Sequence, residues 1–200
     1  MPLNVPNLLT WLRIIMIPLV IGVFYAPQTW LSSWQQNLIA TILFIAAAIT
    51  DLLDGYLARR LNQISAFGAF LDPVADKLMI AAALIVLVQL QRADAIIAVV
   101  IIGREIAISA MREWMAKIGK SKSVAVNLLG KVKTISQMIA VPMLLYHDPI
   151  GPFDVQRIGT WLIYIAAILT LVSMFNYLQR ALAPRAPGDR RRIDRRGGGP

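Results

Sequence analysis

Six long apolar stretches, separated by short polar segments, dominate the chain. A helix needs about 20 mainly apolar residues to cross the hydrocarbon core of a membrane, and the stretches are roughly that long. The pattern therefore predicts an all-α integral membrane protein with six transmembrane helices. Gly68 and Pro73 are helix breakers, and they predict a tight turn between the second and third spans. The predicted spans are Leu8–Tyr25, Gln36–Leu57, Val74–Gln91, Ala95–Met115, Lys131–Tyr146 and Gln156–Leu178.

Composition points in the same direction. Hydrophobic residues make up 58% of the chain and charged residues only 16%, whereas a soluble domain is usually about 25% charged. The chain has no cysteine, which excludes disulfides and thiolate metal sites. Its single histidine, His147, leaves little basis for histidine catalysis or a histidine-rich metal site.

The net charge of +9 is distributed unevenly along the chain. The basic residues flank the apolar stretches instead of covering one face of a soluble domain, so a nucleic-acid partner is not predicted. They lie mainly after the second, fourth and sixth spans, and the loops on the opposite side contain only Arg92 and Arg157. Because basic loops tend to stay in the cytoplasm, both termini are predicted to be cytoplasmic.

Two regions are predicted from these patterns: a membrane domain over residues 1–182 and a disordered basic tail over residues 183–200. The tail is rich in Arg, Pro and Gly, a composition that buries too little apolar surface to fold. Its arginines are suited to attracting anionic membrane lipids. The favoured alternative is that the tail only fixes topology and solubility.

Four of the eleven acidic residues lie in one 26-residue window: Asp51, Asp54, Asp72 and Asp76. Asp51 and Asp54 are spaced i,i+3 near the end of the second span, so they share a helix face. Asp72 and Asp76 are spaced i,i+4 at the start of the third span, where Asp72 suits an N-cap because Pro73 follows it. Antiparallel neighbours joined by a short turn bring these ends together, so all four carboxylates are predicted to meet.

Four carboxylates near lipid need a positive partner. Oxygen ligands favour Mg²⁺ or Mn²⁺, and shared carboxylates bridge two ions in some enzymes that act at phosphorus. Solvated acids at helix ends would explain Asp72 alone, but not Asp51 and Asp54, which follow an apolar run. A cation transporter is the stronger alternative, because carboxylates within a membrane often mark ion pathways. The chain shows no internal repeat and no paired broken helices, which weakens that alternative.

The residues around the aspartates complete a longer motif, Asp51-x₂-Asp54-Gly55-x₂-Ala58-Arg59-x₈-Gly68-x₃-Asp72-x₃-Asp76. It resembles the signature of the CDP-alcohol phosphotransferase family, with every fixed position filled. The resemblance implies that the four aspartates hold two ions of Mg²⁺ or Mn²⁺, that Asp76 is also the catalytic base, and that the protein is a homodimer. The contacts that it implies with CDP-diacylglycerol are Gly55, Ala58, Arg59, Ser65 and Gly68.

A second polar cluster lies in the cytoplasmic half of the fourth and fifth spans. Snorkelling of long side chains to the membrane surface explains the lysines between these spans well. It explains Arg104 poorly, because Arg104 interrupts an apolar run and has a neighbouring partner in Glu105. We interpret the cluster as a site for a phosphate carried by the acceptor alcohol. Its members are Arg104, Arg112, Lys131, Lys133 and Gln137.

Further segments resemble one subfamily, the bacterial phosphatidylglycerophosphate synthases. They are Pro6-Asn-Leu-Leu-Thr-x₂-Arg13, Gly103-Arg-Glu-Ile, Met111-Arg-Glu-Trp and Gly130-Lys-Val-Lys-Thr-x₂-Gln137. The resemblance implies transfer of the phosphatidyl group from CDP-diacylglycerol to sn-glycerol 3-phosphate, at the cytoplasmic face of the bacterial inner membrane. Inositol phosphate, serine and phosphatidylglycerol are the alternative acceptors. Thr10 and Arg13 are predicted either to close the site from the first span or to contact lipid headgroups.

Overall fold

The computed structural model describes residues 5–60, 66–117 and 128–182. Within these ranges the chain forms six α-helices and no strand, as the apolar pattern predicts. Ser65 and the predicted tail over residues 183–200 lie outside the described residues, so the tail stays a prediction. The helices are α1 (Val5–Val23), α2 (Ser33–Arg60), α3 (Ala66–Gln89), α4 (Ala95–Lys117), α5 (Leu128–Tyr146) and α6 (Val155–Leu182).

The core of the bundle is built from small and branched apolar side chains. Helix α5 packs most extensively against α6, and α1 packs against α2 and α3. Phe44 of α2, Leu84 of α3, Ile101 of α4, Val141 of α5 and Ile163 of α6 all belong to one buried cluster. Buried side chains of this kind are closely packed, and removing one leaves a cavity that costs stability. The cluster therefore fixes the relative positions of the helices.

Helix α3 begins at Ala66, well before the predicted start at Val74. Gly68 and Pro73 therefore lie inside the helix, and both the predicted turn and the predicted N-cap at Asp72 are wrong. The physical reason is that the mainly apolar residues from Ala66 to Leu71 extend the helix upstream, and α3 accepts Pro73 with the loss of one backbone hydrogen bond. Asp72 and Asp76 consequently lie one turn apart on one continuous helix.

Arg92, in the turn between α3 and α4, fixes the end of the bundle opposite to the acidic cluster. It donates hydrogen bonds to the carbonyls of Leu144 and Leu145 at the end of α5, at 3.3 and 2.7 Å. It also donates to Oδ1 of Asn37 in α2 at 2.7 Å. The last carbonyls of a helix have no partner within the helix, so Arg92 caps α5 and holds it beside α2.

Two of the described helices are long and apolar enough to cross a membrane, judged by length and composition. They are Ser33–Leu53 within α2 and Val155–Phe175 within α6. Two shorter apolar helical segments, Leu8–Val23 and Val132–Tyr146, accompany them. Large hydrophobic side chains are exposed on every helix, which a soluble protein of this size rarely shows.

Candidate active site

The described members of both polar clusters predicted from the sequence line a single cavity of about 420 Å³. Helices α2 and α3 supply its acidic side, and helices α4 and α5 supply its basic side. The two clusters are therefore parts of one site and not separate sites. The charged residues of the lining are Asp51, Asp72, Asp76, Lys77, Arg104, Glu105, Arg112 and Lys133.

Helix α1 closes the acidic side of the cavity with two buried polar residues. Arg13 is fully buried, and its Nη1 lies 2.9 Å from Oδ1 of Asp51 and 2.6 Å from Oδ1 of Asp76. Thr10, one turn earlier on the same face, donates a hydrogen bond from Oγ1 to Oδ1 of Asp72 at 2.6 Å. The structure thus places Thr10 and Arg13 against the aspartates and not at a lipid-facing surface.

A single guanidinium nitrogen of Arg13 holds carboxylates from two different helices. The carboxylates of Asp51 and Asp76 are partly shielded from solvent, with exposed fractions of 24% and 43%. Ion pairs in such positions are screened less than pairs on the surface. Arg13 therefore orients both carboxylates and offsets part of their mutual repulsion.

The same convergence bears on the predicted metal ions. Asp51 and Asp76 each direct an oxygen at one centre of positive charge, and Asp72 lines the same cavity. Carboxylate oxygens are preferred ligands of Mg²⁺ and Mn²⁺, so the donor chemistry fits these ions. Among the described side chains, no group of three or more acidic, histidine or cysteine residues is arranged to hold a metal ion. Metal binding stays a prediction.

The basic side of the cavity is organised around Glu105. Lys133 forms an ion pair with Oε1 of Glu105, and Nη1 of Arg104 lies 3.3 Å from the same oxygen. Nη2 of Arg104 donates a hydrogen bond to Oγ of Ser173 in α6 at 2.7 Å. Arg104 and Lys133 are both buried, with exposed fractions of 7% and 3%. One carboxylate is thus shared by two buried cations.

Glu105 and Ser173 are not among the predicted site residues. The position of Glu105 beside Arg104 in an apolar run was a usable signal, because a buried cation needs a counter-charge. Ser173 gives no such signal, because a lone serine in an apolar span usually bonds only to its own helix. Its contact with Arg104 joins residues that are 69 positions apart in the chain.

Gln137, also on α5, presents an unsatisfied donor beside Lys133. The side chain is 97% buried, since its exposed fraction is 3%, and it lines the cavity. Its Nε2 has no hydrogen-bond partner among the described residues. A buried amide without a partner is costly, so Gln137 is suited to donate to an oxygen atom of a bound ligand.

Several predicted site residues lie where the structure does not describe side chains. The side chains outside the described set are those of Asp54, Gly55, Ala58, Arg59, Ser65 and Lys131. Gly68 is buried inside α3. The predicted contacts of these residues with a nucleotide or a phosphate therefore stay predictions.

Comparison with known proteins agrees with the motif over most of the chain. The family model described as CDP-alcohol phosphatidyltransferase matches residues 3–172, a range that includes every predicted site residue. Proteins from Shigella flexneri serotype 5b (strain 8401) and Escherichia coli (strain K12) are each 47% identical to the chain over 185 residues. Both are named CDP-diacylglycerol--glycerol-3-phosphate 3-phosphatidyltransferase, and the match covers 92% of this chain and 97% of each relative. The chain belongs to the CDP-alcohol phosphatidyltransferase family.

Proposed function

We propose that this protein transfers the phosphatidyl group of CDP-diacylglycerol to sn-glycerol 3-phosphate, giving phosphatidylglycerol phosphate and CMP. The observation that carries the proposal is one cavity with aspartates on one side and buried cations on the other. The names of the relatives specify this donor and this acceptor, and the match extends along nearly their whole length. Membership of a transferase family removes the main reason to consider a cation transporter.

The basic side of the cavity supports an acceptor that carries its own phosphate. Arg104, Lys133 and the exposed Arg112 face the space that Gln137 also lines. Guanidinium and ammonium groups form strong charge-assisted hydrogen bonds with phosphate oxygens, so this side of the cavity is suited to bind the phosphate of an acceptor. Serine offers these cations only a carboxylate, which has fewer acceptor oxygens than a phosphate.

The acidic side supports attack by the acceptor hydroxyl on the phosphatidyl phosphorus. Asp76 takes the proton of the hydroxyl, the new oxygen–phosphorus bond forms, and the bond to CMP breaks with its electron pair leaving on CMP. Arg13 holds Asp76 in position during this step. Asp51, Asp54, Asp72 and Asp76 would hold Mg²⁺ or Mn²⁺, and such ions neutralise charge on a transferring phosphate and its leaving group.

All six helices are proposed to span the bacterial inner membrane, with both termini and the cavity on the cytoplasmic side. The exposed large hydrophobic side chains support this placement, as do Trp30, Trp34 and Trp161, which are exposed at the opposite end, where aromatic belts form. Helices α3 and α4 carry charged residues of the cavity within their length. Charge inside a membrane is costly and usually functional.

Two further partners are part of the proposal. The resemblance to the family supports a homodimer, and the basic tail over residues 183–200 is suited to anionic lipid headgroups. Neither a second protomer nor a lipid headgroup is needed to complete the cavity, because one chain supplies both of its charged sides.

Turnover by the purified protein tests the proposed function. With CDP-diacylglycerol, glycerol 3-phosphate and Mg²⁺ in detergent micelles, the wild type should release CMP and form a phospholipid that carries two phosphates. Asp76→Asn should abolish turnover while binding of the CDP-lipid remains. Inositol phosphate, serine and phosphatidylglycerol, each offered alone, should be poor acceptors. Absence of CMP release from folded wild type would rule out the activity, and a preference for serine would rule out the acceptor.

A further inference from the structure

An apolar groove of about 660 Å³ lies beside the charged cavity, between α4 and α6. Ala107, Ile108 and Met111 of α4 form one wall, and apolar residues of α6 from Leu171 to Leu178 form the other. Its volume is within the range of about 300–1,000 Å³ that is typical of sites for small ligands. The groove is thus large enough for an elongated apolar group.

The groove and the charged cavity are adjacent and share one lining residue. Ile108 lines both spaces, so it is a shared wall. Ser173 of α6 receives the hydrogen bond from Arg104 of the cavity, and its neighbours Val172 and Met174 line the groove. A molecule with a charged head and an apolar tail can therefore occupy both spaces at once.

We propose that this groove holds one acyl chain of the CDP-diacylglycerol donor while its pyrophosphate lies in the charged cavity. The inference rests on the proposed function, since that function brings a diacyl lipid to the aspartates. The reacting phosphorus is joined to both acyl chains through one glycerol, so the chains must leave the cavity close to where the phosphorus is held. Ile108 of α4 borders both spaces, so an acyl chain that leaves the cavity past α4 enters the groove.

The groove positions the donor more than it strengthens donor binding. Lipid tails in a membrane are as apolar as leucine side chains, so moving a chain from lipid into the groove gains little free energy. An acyl chain that is fixed beside α4 restricts the positions that the attached phosphorus can take. Because misplacement of reacting atoms slows a reaction strongly, a fixed acyl chain favours turnover. The expected signature is therefore a loss of turnover that depends on chain length.

Filling the groove with one side chain tests this proposal. Ala107→Phe should lower turnover of a dipalmitoyl donor about ten- to a hundredfold, because misplacement of about 1 Å can cost that much. The same variant should turn over a dibutyryl donor at nearly the wild-type rate, because that donor does not reach the groove. Ala110→Phe is the matched control, since Ala110 is also exposed on α4 but lines neither space. Equal losses on both donors, or no loss on either, would overturn the proposal.

Chemical labelling gives a second measurement that does not need turnover. The chain has no cysteine, so Ala107→Cys introduces a single thiol. Dipalmitoyl donor should slow alkylation of this thiol by a maleimide, whereas CDP should not, and Ala110→Cys should be unaffected by either. Equal protection by CDP, or no protection, contradicts an acyl chain in the groove. Disulfide linkage of two copies through the Ala107→Cys thiol would show instead that a second copy occupies the groove.

The two measurements separate failure of the groove from failure of the proposed function. If the wild type releases no CMP from any donor, the proposed activity is wrong, and protection of the Ala107→Cys thiol still reports whether a lipid chain binds there. If CMP is released, but the loss of turnover in Ala107→Phe does not depend on chain length and the dipalmitoyl donor does not protect the Ala107→Cys thiol, only the groove assignment is wrong.

Discussion

Arg13 connects three helices through two ion pairs. It lies on α1 and contacts Asp51 of α2 and Asp76 of α3, and its side chain is fully buried. A planar guanidinium presents several donors at fixed angles, which an ammonium group does not. The residue therefore does more than neutralise charge, because it also sets the distance between two carboxylates.

Replacing Arg13 should affect both stability and turnover. We expect Arg13→Gln to lower the free energy of unfolding by about 1–3 kcal/mol, because two carboxylates lose a charged partner. Turnover should fall by about tenfold or more, because Asp76 loses its positioning. Arg13→Lys keeps the charge and should recover stability more than turnover. Thermal unfolding and CMP release on the same preparations test this, and full activity of Arg13→Gln would contradict it.

Lys133 should contribute mainly to binding of the acceptor, glycerol 3-phosphate. Its ammonium group is buried beside Glu105, so Lys133→Gln removes one charge from the basic side of the cavity. Loss of one hydrogen bond to a charged group costs about 1.5–3 kcal/mol, so the KM for glycerol 3-phosphate should rise about ten- to a hundredfold. The KM for CDP-diacylglycerol should change little.

Lys117→Gln is the matched control for the Lys133 variant. Lys117 pairs with Glu113 on the surface of α4, where both side chains are about 70% exposed (72% and 71%). Exposed pairs of this kind contribute little, so both KM values should stay close to those of the wild type. A rise confined to the lipid donor in Lys133→Gln would contradict the assignment of the basic side to the acceptor.

Sequence spacing could predict which residues share a helix face, but not which faces meet. The i,i+4 spacing of Asp72 and Asp76 and the basic positions of α4 follow from one helix at a time. The contact between Thr10 and Asp72 joins residues 62 positions apart and depends on how α1 packs against α3. For the same reason, the merging of the acidic and basic clusters into one cavity was not predictable from spacing.

Among the elements, α3 shows where the local rules for helix breakers fail. Gly68 and Pro73 are breakers in isolation, yet both lie inside α3, since neighbouring helices can hold a helix together through such residues.

Gly159 of α6 faces α5 so closely that an added Cβ would lie 3.0 Å from Cγ of Leu144 and 3.1 Å from Cβ of Met143. Leu144 is fully buried and has little room to move.

The contact at Gly159 should make even a methyl group costly. We expect Gly159→Ala to lower the free energy of unfolding by about 1–3 kcal/mol, the usual cost of overpacking a core. Gly22→Ala in α1 is the control, because an added Cβ there meets nothing within 4 Å. It should leave stability unchanged or raise it by up to about 1 kcal/mol. Thermal unfolding of both variants in one detergent compares them, and equal stability would show that α5 can move away from α6.

At the scale of the whole molecule, the two ends of the bundle differ in charge and in role. The charged cavity lies at one end, whereas Arg92 and Asn37 form a capping network at the other. The number and order of helices and this asymmetry were predictable, because both depend on hydrophobicity and charge along the chain. The helix boundaries were less predictable, since α2 continues into charged residues up to Arg60, and α3 runs through the helix breakers Gly68 and Pro73.

The charge asymmetry makes a prediction about orientation that single cysteines can test. Lysine and arginine resist translocation, so the loop between α1 and α2, which has no charged residue, should lie outside and the end of α4 should lie in the cytoplasm. Thr29 and Glu113 are exposed at these two positions, and neither lines the cavity. In spheroplasts, a membrane-impermeant maleimide should label Thr29→Cys at once but label Glu113→Cys only after the membrane is opened. Retained turnover of both variants is the control for folding. Labelling in the reverse order would place the aspartates on the outer side, away from a cytoplasmic supply of CDP-lipid headgroups and glycerol 3-phosphate. That result would contradict the proposed topology even if the purified enzyme were active.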